Sequence, residues 1–226
     1  MNITEIRKRI LDISYKNNQS HIGSCLNITE ALVDIYNIKN TLDRVVLSQG
    51  HAALALYCVL EAVYCPKNGF KQVDAEKLFT KHGVHPNRDK EDHIDCSTGS
   101  LGHGLPIAVG MALANRKRNV YCVISDGECA EGSIWEALRI AEDQQLDNLK
   151  IYLIANGYCA YDRVNVKKLE KRLKSFDFPI SIFKTKLPDL EFLDGLKAHY
   201  STMTDDDYQQ AYLAYTPKIP RRRKNI

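Results

Sequence analysis

No apolar run in the 226-residue chain approaches the length of a membrane span. The start, Met1-Asn2-Ile3-Thr4-Glu5-Ile6-Arg7, lacks the basic residues and apolar core of a secretory signal. Seven cysteines are present, but no two form a C-x-x-C pair. An odd number of scattered thiols without an export signal points to reduced cysteines in the cytoplasm, packed as small apolar groups. Charge of one sign is also scarce: a net +3 is too small to argue for nucleic acid. No G-x-G-x-x-G follows an early strand, which speaks against a dinucleotide site. No internal repeat or low-complexity segment occurs. A soluble α/β enzyme remains, with no membrane or nucleic-acid partner.

The pattern predicts alternating helices and strands. Helices are expected over Thr4–Tyr15, Ile28–Ile38, Ala52–Tyr64, Leu105–Asn115, Ser133–Leu146, Val166–Phe176 and Asp205–Tyr215. Asn27 with Glu30 and Ser133 with Glu136 read as capping boxes. The helices over Ala52–Tyr64 and Leu105–Asn115 are apolar nearly all round and should be buried. Strands are expected over Arg44–Ser48, Val120–Ile124, Ile151–Ile154 and Ile180–Thr185. Residues 81–104 read as a long active loop carrying four histidines. The expected organisation is one domain over residues 1–215 and a basic tail over 216–226, centred on Pro220 to Lys224.

Two apolar runs end in polar groups. Val120–Ile124 leads into Ser125-Asp126-Gly127-Glu128, and Ile151–Ile154 leads toward Asn156-Gly157-Tyr158. A helix between them makes the strands parallel, so Asp126 and Asn156 should sit at carboxyl strand ends, where open α/β sheets bind ligands. A carboxylate and an amide oxygen there suit a hard cation such as Mg²⁺, which also takes phosphate oxygens. Gly127 and the helix start behind it offer close backbone N–H groups to an anion. The implied ligand is a metal diphosphate. Asp-Gly and Asn-Gly are also common turn pairs, so this signal gains force from its neighbours.

Those neighbours are Ser20-His21-Ile22-Gly23, Leu47-Ser48-Gln49-Gly50-His51, His85-Pro86 and Ser97-Thr98-Gly99-Ser100-Leu101-Gly102-His103-Gly104. Together with Asp126 and Asn156, and in this order, they resemble the diphosphate-binding N-terminal half of transketolases, especially the separately encoded N-terminal subunits. The resemblance runs from about residue 1 to 162, with a weaker echo at Ala198-His199-Tyr200. It implies the thiamine diphosphate-binding α/β fold, a parallel sheet with helices on both faces. It also implies thiamine diphosphate with Mg²⁺ or another divalent ion such as Ca²⁺.

Metal ligands carried over by the resemblance are Asp126, Asn156 and the carbonyl of Tyr158. Cofactor contacts fall on His51, on Gly99, Ser100 and Leu101, and on Gly127, Glu128 and Asn156. His21, His85 and His199 would face the substrate and move protons, since histidine titrates near neutrality. Glu131 would relay protons at a subunit contact, or serve simply as a carboxylate at a helix start. Glu136 reads as structural, and His82 and His93 have no assigned role. A zinc site from the loop histidines fits no familiar ligand spacing. Two departures stand out: Ser125 replaces the family's usual glycine, and Ala155 stands where an acidic residue is often found.

The resemblance further implies half of an enzyme. The glutamate that activates thiamine diphosphate belongs to a second domain type. A transketolase C-terminal, pyrimidine-binding subunit is therefore the expected partner, within a heterotetramer. The reaction would move a two-carbon ketol unit from a ketose to an aldose, using sugar or sugar-phosphate substrates. The competing readings are a subunit of a 2-oxoacid dehydrogenase or decarboxylase, and a non-catalytic protein that kept the fold.

Overall fold

The computed structural model describes residues 1–216. Four strands form one parallel sheet in the order β1-β2-β3-β4: β1 (Arg44–Leu47), β2 (Val120–Ser125), β3 (Leu149–Ala155) and β4 (Ile180–Lys184). Side chains on a strand alternate between faces, and here both faces are covered. Val45, Leu47, Tyr121, Val123, Tyr152 and Ile154 point into one core with α1 (Ile3–Lys16), α2 (Ile22–Ile38) and α3 (Ala53–Val63). A short helix, α4 (Ala75–His82), packs on α3 and has no counterpart in the sequence reading. Its Asp74 N-cap carboxylate accepts from the N–H groups of Glu76 and Lys77. The active loop is therefore confined to residues 83–103. Val46, Cys122, Ile124, Ile151 and Leu153 point into a second core with α5 (Gly104–Ala114), α6 (Gly132–Asp143) and α7 (Val166–Leu173). Burial on both faces is why these strands read as continuous apolar runs rather than alternating ones. Among the described residues no helix is long and apolar enough to cross a membrane.

Several boundaries differ from the sequence reading. Helix α2 starts at Ile22 rather than Ile28, so Asn27 lies inside it, buried, and the expected Asn27–Glu30 capping box does not form. The chain enters this helix through His21, whose φ is 63°, a left-handed conformation that no hydrophobic pattern announces. The Ser133–Glu136 box is also absent: Glu131 is the N-cap, and Ser133 Oγ donates instead to the carbonyl of Gly102 at 2.9 Å.

Helix α3 is buried as expected over Ala53–Leu60. Helix α5 is not buried all round, because only one side packs on the sheet and α6; Ile107 and Leu113 are 38% and 40% exposed. After β4 come the short helices α8 (Lys197–Tyr200) and α9 (Asp205–Ala214). Helix α9 opens with a reciprocal Thr204–Asp207 capping box. The basic stretch Pro220 to Lys224 lies outside the described residues.

Candidate active site

The carboxyl ends of the strands open into a cavity of about 530 Å³. Parallel pairing places the ends of β2 and β3 side by side, with Ser125 opposite Ile154 and the Asp126 N–H donating to the Ile154 carbonyl at 2.9 Å. Asp126 is 1% exposed. One carboxylate oxygen accepts from the Gly157 N–H at 2.7 Å and the other from the Gly127 N–H at 3.0 Å. Burial outweighs these hydrogen bonds and pushes the Asp126 carboxyl up to about 6. Asn156 and Tyr158 line the cavity, and Asn156 Oδ1 accepts from the Tyr158 N–H at 2.9 Å. The Tyr158 carbonyl faces Gly127, where an added Cβ would lie 3.4 Å from its oxygen. Asp126, Asn156 and the Tyr158 carbonyl thus belong to one turn cluster above adjacent strand tips.

Three histidines form the other wall. His21 enters α2, His51 follows β1 in a 3-10 turn (Gly50–Ala52), and His199 sits in α8. Their ring centroids are 5.2 Å apart for His21 and His51, 4.3 Å for His21 and His199, and 5.1 Å for His51 and His199. The His21 backbone N–H donates to the His199 carbonyl at 3.0 Å, which ties the C-terminal segment to the first half of the chain. Burial, then the neighbouring histidines, lowers His51 to about 3 and His21 to about 4; burial lowers His199 as well. All three are neutral imidazoles at pH 7 and can accept protons or hydrogen-bond an anion. His85 lines the same cavity and lies against Gly99.

Not every residue singled out by sequence faces this space. Gly99, Leu101, Gly127 and Glu131 do, whereas Ser100 is exposed beside it. Glu128 is turned away: it is fully buried and accepts from Ser48 Oγ at 2.6 Å, the Gly102 N–H at 3.0 Å and the Ser125 N–H at 3.1 Å. Its side chain is a strut beneath the site. The loop histidines do not converge on a zinc position. His82 Nε2 pairs with Asp92 at 2.8 Å, and His93 stacks on Tyr64 with centroids 3.6 Å apart. Asp89 and Asp92, which approach His82, are bridged by Lys81 at 2.8 and 2.6 Å.

Sequence reasoning missed the roof. Thr185, Lys186, Leu187, Pro188 and Leu190, following β4, close the cavity together with Leu193 and Leu196. The position of β4 as the next parallel strand was the available signal. Asn27 and Gln49 were also missed as lining residues. Asn27 Oδ1, Gln49 Nε2, His21 Nδ1 and Thr185 Oγ1 are buried without hydrogen-bond partners. Buried polar atoms are almost always paired, so a ligand with both donors and acceptors fits this wall. The residues present suit a metal diphosphate attached to a heteroaromatic group.

Comparison with known proteins agrees with this geometry. Residues 2–179 match the family model described as "Transketolase, thiamine diphosphate binding domain". One of the two subunits of an apulose-4-phosphate transketolase from Phocaeicola vulgatus is 38% identical over 161 residues, covering 63% of this chain and 55% of that relative. A 6-deoxy-6-sulfo-D-fructose transketolase subunit from Clostridium sp. is 35% identical over 162 residues, covering 64% and 57%. The matched region thus spans little more than half of these relatives. The crystal structure of transketolase from Campylobacter jejuni shares the fold, with a TM-score of 0.72 over 95% of this chain and 43% of that one, at 23% identity. With the family model spanning most of the sequence and the strand-end cavity built from the residues that first suggested it, the chain belongs to the transketolase family, as its thiamine diphosphate-binding domain.

Proposed function

We propose that this chain is the cofactor-holding subunit of a two-component transketolase. The observation that carries the reading is the convergence of His21, His51 and His199 on the same cavity as Asn156, Tyr158 and Gly127. Asp126, Asn156 and the Tyr158 carbonyl would hold Mg²⁺ or Ca²⁺. His51, the Gly99–Leu101 backbone and the Gly127 N–H would hold the diphosphate. Bound there, thiamine diphosphate supplies the nucleophilic carbon chemistry needed to break and make a bond beside a carbonyl.

The chain's own residues do the rest. His21, His85 and His199 exchange protons with substrate hydroxyls; a neutral imidazole at pH 7 is ready to accept one. The apolar roof from Leu187 to Leu196 keeps water from the reacting carbon. Glu131, at the cavity rim and the start of α6, faces outward toward a partner. A separate pyrimidine-binding subunit supplies the activating glutamate, in an assembly of two copies of each chain. The relatives from Phocaeicola vulgatus and Clostridium sp. are both named as subunits of transketolases, which supports that division of labour. Ketose donors and aldose acceptors, free or phosphorylated, are the substrates. Seven free thiols agree with work in a reducing cytoplasm.

The test is reconstitution. The isolated chain with saturating thiamine diphosphate and Mg²⁺ should show no ketol transfer, and a pyrimidine-binding subunit should restore it. Turnover by the lone chain would sink the divided site.

A further inference from the structure

A second cavity, of about 450 Å³, lies at the other end of the sheet. Arg44 opens β1 and Arg118 lies just before β2, so this cavity sits beneath the amino ends of strands whose carboxyl ends form the candidate active site. Its lining is strongly basic, and its acids are already engaged. Asp95 accepts from the Val45 N–H at 2.9 Å and pairs with Arg44 at 3.4 Å. Asp43 accepts from the N–H groups of Asn40 at 2.8 Å and Asn119 at 2.9 Å. Lys39 is explained by the fold, since it caps the C-terminus of α2 and donates to the Asn40 carbonyl at 3.0 Å. Arg88, Lys90 and Arg118 remain, with no carboxylate partner among the described residues. Arg118 Nε is buried with no hydrogen-bond partner, although a buried guanidinium N–H needs an acceptor. One wall is aromatic: Tyr64 and His93 are stacked with an interplanar angle of 4°.

The geometry points to a binding site for a small phosphomonoester, its phosphate held by Arg88, Lys90 and Arg118 and its organic part packed against the Tyr64–His93 pair. Guanidinium forks match phosphate oxygens in bidentate fashion, and a flat aromatic surface takes a sugar or base. The assignment does not rest on the proposed reaction. The loop 83–103 carries the site and also links it to the active-site end: Arg88 lies a few residues from His85, and Gly99 follows the same loop back. That loop is pinned by reciprocal backbone hydrogen bonds between Asp89 and Ile94 and by Ser97 Oγ, which accepts from the Arg88 N–H at 2.7 Å.

The probe is AMP, with inorganic phosphate as competitor, titrated calorimetrically into the 226-residue chain at low ionic strength. Saturable AMP binding is expected, reduced by phosphate and weakened at least about tenfold in an Arg88→Gln/Lys90→Gln variant. Both substituted side chains are exposed, so the variant should keep the wild-type melting temperature. Arg118→Gln should weaken AMP binding similarly, while thiamine diphosphate binding with Mg²⁺ stays unchanged in all variants. No saturable binding to the wild-type chain, or equal binding to both variants, would overturn the assignment. Loss of thiamine diphosphate binding in parallel would overturn it too, by placing the effect at the other cavity.

Discussion

Ser48 Oγ donates a hydrogen bond to Glu128 Oε1 at 2.6 Å, joining the end of β1 to the turn after β2 inside the protein. The same oxygen accepts from the Gly102 N–H, and Oε2 accepts from the Ser125 N–H. One buried carboxylate therefore fixes three of the segments that line the active-site cavity. Glu128→Ala should destabilise the fold by about 3–5 kcal/mol, because it strands three donors at a fully buried position. Glu128→Gln keeps a carbonyl acceptor and should cost only about 1–3 kcal/mol. Urea unfolding at neutral pH measures both. A glutamine variant as stable as the parent would show that the negative charge contributes nothing to the strut.

Asp126 makes a separate claim about pH. Its folded carboxyl sits at about 6, above the ordinary 3.8. The folded state then binds more protons than the unfolded state between those values, so this group lowers stability as pH rises through that window. The effect is about 2–3 kcal/mol. In metal-free protein, the stability advantage of wild type over Asp126→Asn should shrink by that amount between about pH 4 and pH 7. Lost backbone acceptors in the asparagine variant do not titrate, so they leave this slope alone. A divalent ion with thiamine diphosphate should flatten the slope by favouring the carboxylate. A pH-independent difference between the two proteins would rule out the raised carboxyl.

The histidines act in the opposite direction. His51 at about 3 and His21 at about 4 bind fewer protons when folded than the ordinary 6.5 group does unfolded. Their contribution to stability is complete above about 6.5 and is lost as pH falls toward about 4. Proton NMR of the ring signals should show both residues neutral at about pH 5.5. Pyrophosphate with Mg²⁺ should raise His51 by at least about one unit, since a nearby anion favours the charged imidazolium. His51→Ala should weaken thiamine diphosphate binding at least about tenfold. An unmoved His51 signal would remove that residue from the diphosphate site.

The sequence carried the strand ends further than the helix starts. Asp126, Asn156 and His51 were legible because each follows a short β-branched run, and parallel strands deliver such residues to one edge. His21 was legible as a residue type but not as a helix entry, because its left-handed backbone comes from tertiary contact with α8. Ser133 looked like a cap and became instead a donor to Gly102, since a loop distant in sequence offered a better acceptor. Glu128 read as part of a ligand motif, yet its side chain faces inward; spacing cannot say which way a turn carboxylate points. The roof after β4 has no periodicity to betray it, being loop residues held by packing against Phe192, Leu193 and Ala198.

That packing can be tested at one glycine. An added Cβ at Gly23 would lie 2.5 Å from the Ala198 Cβ and 3.0 Å from the Ala198 carbonyl oxygen, distances at which atoms cannot stay. Gly23 lies in α2 with ordinary helical geometry, so alanine is tolerated by the helix itself. The strain must then be relieved by displacing α8, which carries His199. Gly23→Ala should leave the core intact and cost about 1–3 kcal/mol, the usual range for overpacking. It should lower turnover in the reconstituted enzyme well beyond what that loss of stability explains. The His21–His199 backbone hydrogen bond should lengthen, and hydrogen exchange at the His21 amide should accelerate. A variant with unchanged exchange at His21 and unchanged turnover would show that α8 can shift without carrying His199 away from the cavity, and that His199 is held by something other than the seat beside Gly23.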